Sequence, residues 1–208
     1  MHPTIIGITG GIGSGKSFFA HALAEKGFPV YDCDRAAKRI VEEDPAVRAD
    51  IIALLGEGAY CDGHYQTRYV SEKVFSCPEG AHAGIAPGAI QRKETLLDKL
   101  NAIIHPAVKA DILRWANLHH EEKMVFVESA ILFESGLNDI CDKVVCVTAP
   151  ESVRITRVMA RDHLSENAVR ARMAQQLPET ERQRRSDMVY VNTSPNIDLT
   201  TLLDLVRH

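Results

Sequence analysis

The sequence lacks the features that would tie it to a membrane, a disulfide scaffold or a nucleic-acid duplex. No apolar run approaches the ~20 residues a spanning helix needs. Only Met1 to Thr4 precede the first apolar segment, so no export signal is expected. The five cysteines (Cys33, Cys61, Cys77, Cys141 and Cys146) are odd in number and form no Cys-x-x-Cys pair. They read as free thiols in a reducing compartment, not as a zinc site or a disulfide frame. Positive charge is not in excess either: 24 Lys and Arg stand against 28 Asp and Glu, a formal net charge of −4. That balance argues against nonspecific nucleic-acid binding, so any polyanionic ligand must be met by local positive charge. Internal repeats and long low-complexity tracts are absent, as is the guanine-reading Asn-Lys-x-Asp of a GTPase. A soluble, cytoplasmic, monomeric protein with no membrane or nucleic-acid partner is expected.

What is present suits one α/β domain of 208 residues with a small embedded lobe. Short, β-branched apolar runs at Ile5–Thr9, Phe28–Tyr31, Met124–Glu128, Lys143–Thr148 and Met188–Val191 predict five buried strands. Helical patterns over roughly 17–26, 35–43, 46–55, 91–104, 106–120, 151–161, 165–177 and 197–207 fill the gaps. Asp44-Pro45 separates the second and third, and Pro106 suits the first position of the fifth. Strands alternating with helices imply a parallel sheet with helices on both faces. Gly56 to Thr67 is rich in turn residues, and Ser76 to Gly88 reads as a loop or insertion.

Between the first strand and the first helix lies Gly7-Ile8-Thr9-Gly10-Gly11-Ile12-Gly13-Ser14-Gly15-Lys16-Ser17. Gly10-x-x-x-x-Gly15-Lys16-Ser17 is the phosphate-binding loop pattern in the context it requires. Glycines such as Gly11, Gly13 and Gly15 let backbone N–H groups, that of Ser14 among them, curl round a phosphate without Cβ clashes. The helix N-terminus adds partial positive charge. In such loops the lysine, here Lys16, reaches the β- and γ-phosphates, and the hydroxyl, here Ser17, ligates Mg²⁺. A nucleotide site with ATP and Mg²⁺ is expected.

Other residues admit two readings. Asp32 ends the second strand, on the edge where open α/β sheets bind ligands, and can take a proton from an attacking hydroxyl or serve its own loop. Asp34 suits the N-cap of a helix starting near Arg35. Glu128 ends the third strand and can help hold Mg²⁺ beside Ser17, or merely cap the strand. Eight arginines crowd residues 154 to 185, and Arg154, Arg157 and Arg161 share one helix face. Most suit a solvated helix paired with Asp162, Glu166, Glu179 and Glu181, whereas Arg157 and Arg161 suit a phosphate clamp. His105 reads first as structural, Trp115 as packing, and His119-His120 lacks further metal ligands.

Taken in order, these motifs resemble those of the dephospho-coenzyme A kinase family over nearly the whole chain. Gly7–Ser17 matches the family's loop, and Asp32-Cys33-Asp34-Arg35 its D-A-D-x-I-A-R segment, with Lys38 in place of the arginine. Arg68 before Val74-Phe75, Leu100–Val108 around His105-Pro106, and Ala130–Glu134 follow. So do Arg157–Asp162, Arg172–Gln176 and Ser186–Ser194, the last with Ser194 in place of a glycine. The resemblance implies a P-loop kinase fold: a five-stranded parallel sheet flanked by helices, with a helical acceptor lobe at about 35–120 and an arginine-rich lid at about 154–185. It implies transfer of the γ-phosphate of ATP to the 3′-hydroxyl of the ribose of dephospho-coenzyme A. Asp32 then becomes the acceptor-side base or orienter, Arg68 and His105 acceptor-binding candidates, and Asn192 part of the loop near the adenine. The rivals are a kinase for another hydroxyl acceptor and a nucleotide-dependent switch.

Overall fold

The computed structural model describes residues 2–75 and 95–193. The loop expected at Ser76 to Gly88, the helical pattern at 197–207 and Ser194 lie outside them. In chain order the elements begin β1 (Thr4–Thr9), α1 (Lys16–Glu25), β2 (Val30–Asp32), α2 (Cys33–Glu43), α3 (Pro45–Leu55), β3 (Tyr60–Cys61), β4 (His64–Tyr65) and α4 (Thr67–Phe75). They continue with α5 (Leu96–Leu118), β5 (Met124–Glu128), β6 (Lys143–Thr148), α6 (Glu151–Asp162), α7 (Glu166–Ala174), α8 (Glu179–Arg184) and β7 (Met188–Val191). The chain divides into two compact units, Met1–Asp34 with Asp111–His208, and Arg35–Ala110.

The first unit is built on a five-stranded sheet in the order β2-β5-β1-β6-β7. Every pairing in it is parallel. Parallel strands covered on both faces need apolar residues at consecutive positions, which is what the β-branched runs supply. Ile6, Ile8, Phe126, Val145 and Val147 pack against Phe19, Ala20 and Leu23 of α1, all nearly or fully buried. Each such large side chain contributes about 1.5–3 kcal/mol when taken out of water. The register aligns the functional edge: Ile8 pairs with Glu128, and Asp32 pairs with Glu128 from the other side. Helix α2 starts at Cys33, directly after β2, so Asp34 stands in its first turn and is not the N-cap expected for it. A carboxylate there still favours the helix dipole.

The second unit is helical. Asp44 caps α3 by accepting from Ala46 N at 2.9 Å and Val47 N at 3.2 Å, with Pro45 at the first helical position. The turn-rich stretch holds the two-residue strands β3 and β4, antiparallel across Asp62 (φ 50°) and Gly63 (φ 88°). An Asp-Gly pair accepts the two positive φ angles of a tight hairpin. The Tyr60 hydroxyl donates to Val41 O at 2.6 Å and ties this hairpin to α2.

Two helices were expected either side of His105-Pro106; the chain instead forms the single 23-residue α5 with Pro106 inside it. Leu100, Val108, Ile112 and Ala116 are all buried and spaced in multiples of four, so one apolar face runs in phase through the proline. Pro106 and Ala102, whose carbonyl loses its helical donor, are both exposed, and water can satisfy the freed oxygen.

Candidate active site

The loop between β1 and α1 is shaped by backbone conformations that side chains would spoil. Gly13 (φ 79°) and Gly15 (φ 88°) are left-handed. A Cβ on Gly15 would stand 2.1 Å from Asn192 Nδ2, and one on Gly13 would stand 2.5 Å from Arg154 O. Gly15 is the N-cap of α1 and offers no side-chain cap, so the helix presents uncapped N–H groups and its positive dipole end. Beside it opens a cleft of about 220 Å³ lined by Gly11, Gly13, Gly15, Lys16, Ser17, Phe18, Arg157, Val158 and Arg161. Ser14 is buried beneath the loop.

Three groups converge at the carboxyl edge of the sheet. Lys16 Nζ lies 3.4 Å from Glu128 Oε1, and the Ser17 hydroxyl donates to the same oxygen at 3.2 Å. Glu128 is only 7% exposed. Burial pushes its carboxyl above the usual carboxylate range, the Lys16 ammonium pulls it back, and Asp32 and Asp34 push it up again. Asp32, the exposed last residue of β2, is therefore an electrostatic neighbour of Glu128 as well as its register partner. The Cys33 thiol between the two aspartates is buried, and burial with these carboxylates holds it well above the ordinary thiol range. It is not a nucleophile. The Ser17 hydroxyl, which lines the cleft, and the Glu128 carboxylate bonded to it are the hard oxygen donors that Mg²⁺ takes alongside phosphate oxygens and water.

The arginines fall into distinct environments. Arg157 spans the back of the loop, Nη1 donating to Gly13 O at 3.5 Å and Ser14 O at 3.4 Å, and Nη2 to Asn192 O at 3.3 Å. Arg161 lines the cleft with its side chain 65% exposed and forms a fork with Asp162 at 2.7 and 3.0 Å. Arg170 pairs with Glu151 and Glu166, and Arg184 with Glu181. Arg154 breaks the expectation of a solvated pair: it is 5% exposed, bonded to Ile12 O and to Glu179. The sequence placed Arg154 on a helix face and Gln176 in the Arg172–Gln176 segment, but carried neither the burial of Arg154 nor the bond that Gln176 accepts from Ile12 N at 2.8 Å. No local spacing carries these contacts, because the partners stand more than a hundred positions apart.

Asn192 is buried behind the loop, its Nδ2 donating to Ser14 O at 3.0 Å and its own N–H to Thr148 O at 2.7 Å. Its side chain is thus committed to the loop's backbone. Arg68 and His105 belong to the second unit. Arg68, on α4, is 93% exposed and pairs with Glu72 one turn on. His105, on α5, has its imidazole pushed below the ordinary value by burial.

Comparison with known proteins places the chain in a family. The family profile for dephospho-CoA kinase matches residues 4–86 and 87–198. The dephospho-CoA kinase of Porphyromonas gingivalis is 37% identical over 203 residues, covering 97% of this chain and 92% of that protein. A crystal structure of TT1252 from Thermus thermophilus superposes with a TM-score of 0.77 at 36% identity, over 100% of this chain and 97% of that one. Dephospho-CoA kinase from Campylobacter jejuni shares the fold at a TM-score of 0.66 and 24% identity, over 98% of this chain and 97% of that one. The phosphate loop, the parallel sheet behind it and these full-length matches agree: the chain belongs to the dephospho-CoA kinase family.

Proposed function

We propose that the protein transfers the γ-phosphate of ATP to the 3′-hydroxyl of the ribose of dephospho-CoA, giving CoA and ADP. The observation that carries the reading is the meeting of Lys16, Ser17 and Glu128 beside Asp32, at the mouth of an uncapped helix. Lys16 and the loop N–H groups hold the β- and γ-phosphates, drawing the ammonium away from Glu128. Ser17 and Glu128 would hold Mg²⁺, which neutralises charge on the phosphate oxygens when bound.

Asp32 orients the acceptor hydroxyl in line with the γ-phosphorus and takes its proton. The bond from acceptor oxygen to phosphorus forms as the β–γ bridging bond breaks, and the electron pair leaves on ADP. Arg157 steadies the loop from behind, and Arg161 exchanges Asp162 for the transferring phosphoryl group. Gly11, Gly13, Ser14 and Gly15 shape the cradle, and Asn192 belongs to the nucleotide site by fixing the Ser14 peptide. Of the arginine-rich segment 154–185, the exposed part around Arg161 serves as the lid whose closure excludes water, while buried Arg154 and Arg182 stay with the scaffold. The lobe at about 35–120 receives the acceptor, with Arg68 and His105 among its contacts. As a working assignment the enzyme is a cytoplasmic monomer acting on two water-soluble polyanions.

The test is ADP release from ATP and Mg²⁺ with and without dephospho-CoA, followed by mass analysis of the acceptor. The expected result is strong stimulation and one phosphate added to the ribose. Release indifferent to dephospho-CoA would overturn the reading.

A further inference from the structure

Ile12, in the middle of the phosphate-binding loop, is gripped through both of its backbone polar groups, which belong to the two successive peptide units that flank it. Its N–H donates to Gln176 Oε1 at 2.8 Å, and its carbonyl accepts from Arg154 Nε at 3.0 Å. Arg154 is itself anchored, Nη1 donating to Glu179 Oε2 at 2.9 Å, and the same oxygen accepts from Arg182 Nη1 at 2.9 Å. Arg154 and Arg182 are 5% and 1% exposed, so this anchor is fixed in the core. The Ile12 side chain packs on Ile155, Val158 and Val169 of α6 and α7.

These contacts answer a problem the loop cannot solve alone. A phosphate cradle needs successive N–H groups aimed inward, which turns the intervening carbonyls outward. A glycine-rich segment has little side-chain packing to hold that orientation, and a flipped peptide would aim a carbonyl oxygen at the phosphates. The outward carbonyls of Ile12, Gly13 and Ser14 meet donors from Arg154, Arg157 and Asn192. Gln176, in the connection between α7 and α8, fixes the preceding peptide unit through the Ile12 N–H.

We infer that Gln176 and Arg154 are positioning residues for the phosphate-binding loop: by clamping the two peptide units that flank Ile12 they set the affinity for the ATP phosphates without touching the nucleotide. The clamp also ties nucleotide affinity to the segment that joins α7 to α8. This rests on the phosphate-binding role of the loop given above, and not on the identity of the acceptor. Gln176 is the informative position, because it is neutral and half-buried, whereas loss of Arg154 would disturb the charge network beneath.

The experiment compares wild type with Gln176→Leu, which removes the acceptor oxygen at similar volume. Gln176→Met, which keeps an unbranched stem, makes the same test should leucine pack poorly. Calorimetry gives the Kd for ADP, and steady-state assays give KM for each substrate. The expected result is a rise of about tenfold in the ADP Kd and the ATP KM. The KM for dephospho-CoA should stay within about twofold, and kcat should fall by less than the ATP KM rises. An unchanged ADP Kd, or equal changes in both KM values, would overturn the clamp, as would a lowered thermal midpoint with both KM values unchanged. Should wild type bind ADP but leave dephospho-CoA unphosphorylated, the functional reading fails while the ADP comparison still decides this inference.

Discussion

The two ends of α6 treat an arginine in opposite ways. At the first turns Arg154 is buried, with its guanidinium spent on Ile12 O and Glu179. Near the last turn Arg161 stands at the cleft, exposed and held by a fork with Asp162 on the same helix. Pulling a buried, hydrogen-bonded charge from its partners costs several kcal/mol, whereas an exposed pair trades partners cheaply. One arginine is therefore part of the scaffold of the phosphate loop, and the other is available to a phosphoryl group. Charge density along a helix does not distinguish these roles; burial does.

The sharpest contrast to both is Lys16, whose ammonium leaves the Glu128 carboxylate, 3.4 Å away, to meet phosphate. Lys16→Ala should lower kcat/KM about 10³-fold with the fold intact, read by steady-state kinetics and circular dichroism. Arg154→Leu should instead cost about 3 kcal/mol of stability, seen as a lower urea midpoint at unchanged slope. Arg161→Ala should reverse that pattern, with kcat down about 20-fold and stability within about 0.5 kcal/mol of wild type. If Arg154→Leu lowered kcat without loss of stability, the division between the two ends of α6 would collapse.

The smallest effect is expected at His105. Burial lowers its pKa, so the folded protein keeps the ring neutral in a range where the unfolded chain protonates it. The stability this contributes is present above the unfolded value of about 6.5 and is lost as pH falls through the folded value. The stability difference between wild type and His105→Asn should therefore shrink on acidification below about pH 6.5. An NMR titration placing the His105 ring above that value would contradict it.

What was legible in the sequence was whatever depends on neighbours in the chain. The five parallel strands follow from short β-branched runs, and the loop from glycines between a strand and a helix. The hairpin at Asp62-Gly63 had its signal in plain view, though strands of two residues leave no alternation to read. Pro106 misled because a local breaker was weighed above an apolar face that stays in phase on both sides of it. Helix α4, Thr67–Phe75, is rich in β-branched and aromatic residues and has only Val70 buried, so its sequence carries little helical pattern. The Gln176 and Arg154 contacts with Ile12 join residues more than a hundred positions apart, and no spacing rule encodes such a pairing.

The most direct test of the account lies at Asp32, where strand register sets a carboxylate beside the Lys16–Ser17–Glu128 cluster. ADP release with saturating ATP, Mg²⁺ and dephospho-CoA should fall about 10²-fold in Asp32→Asn, with the ADP Kd unchanged. A loss of less than about tenfold at unchanged ADP affinity would show that Asp32 neither orients nor deprotonates the acceptor, and the proposed phosphoryl-transfer geometry would be wrong.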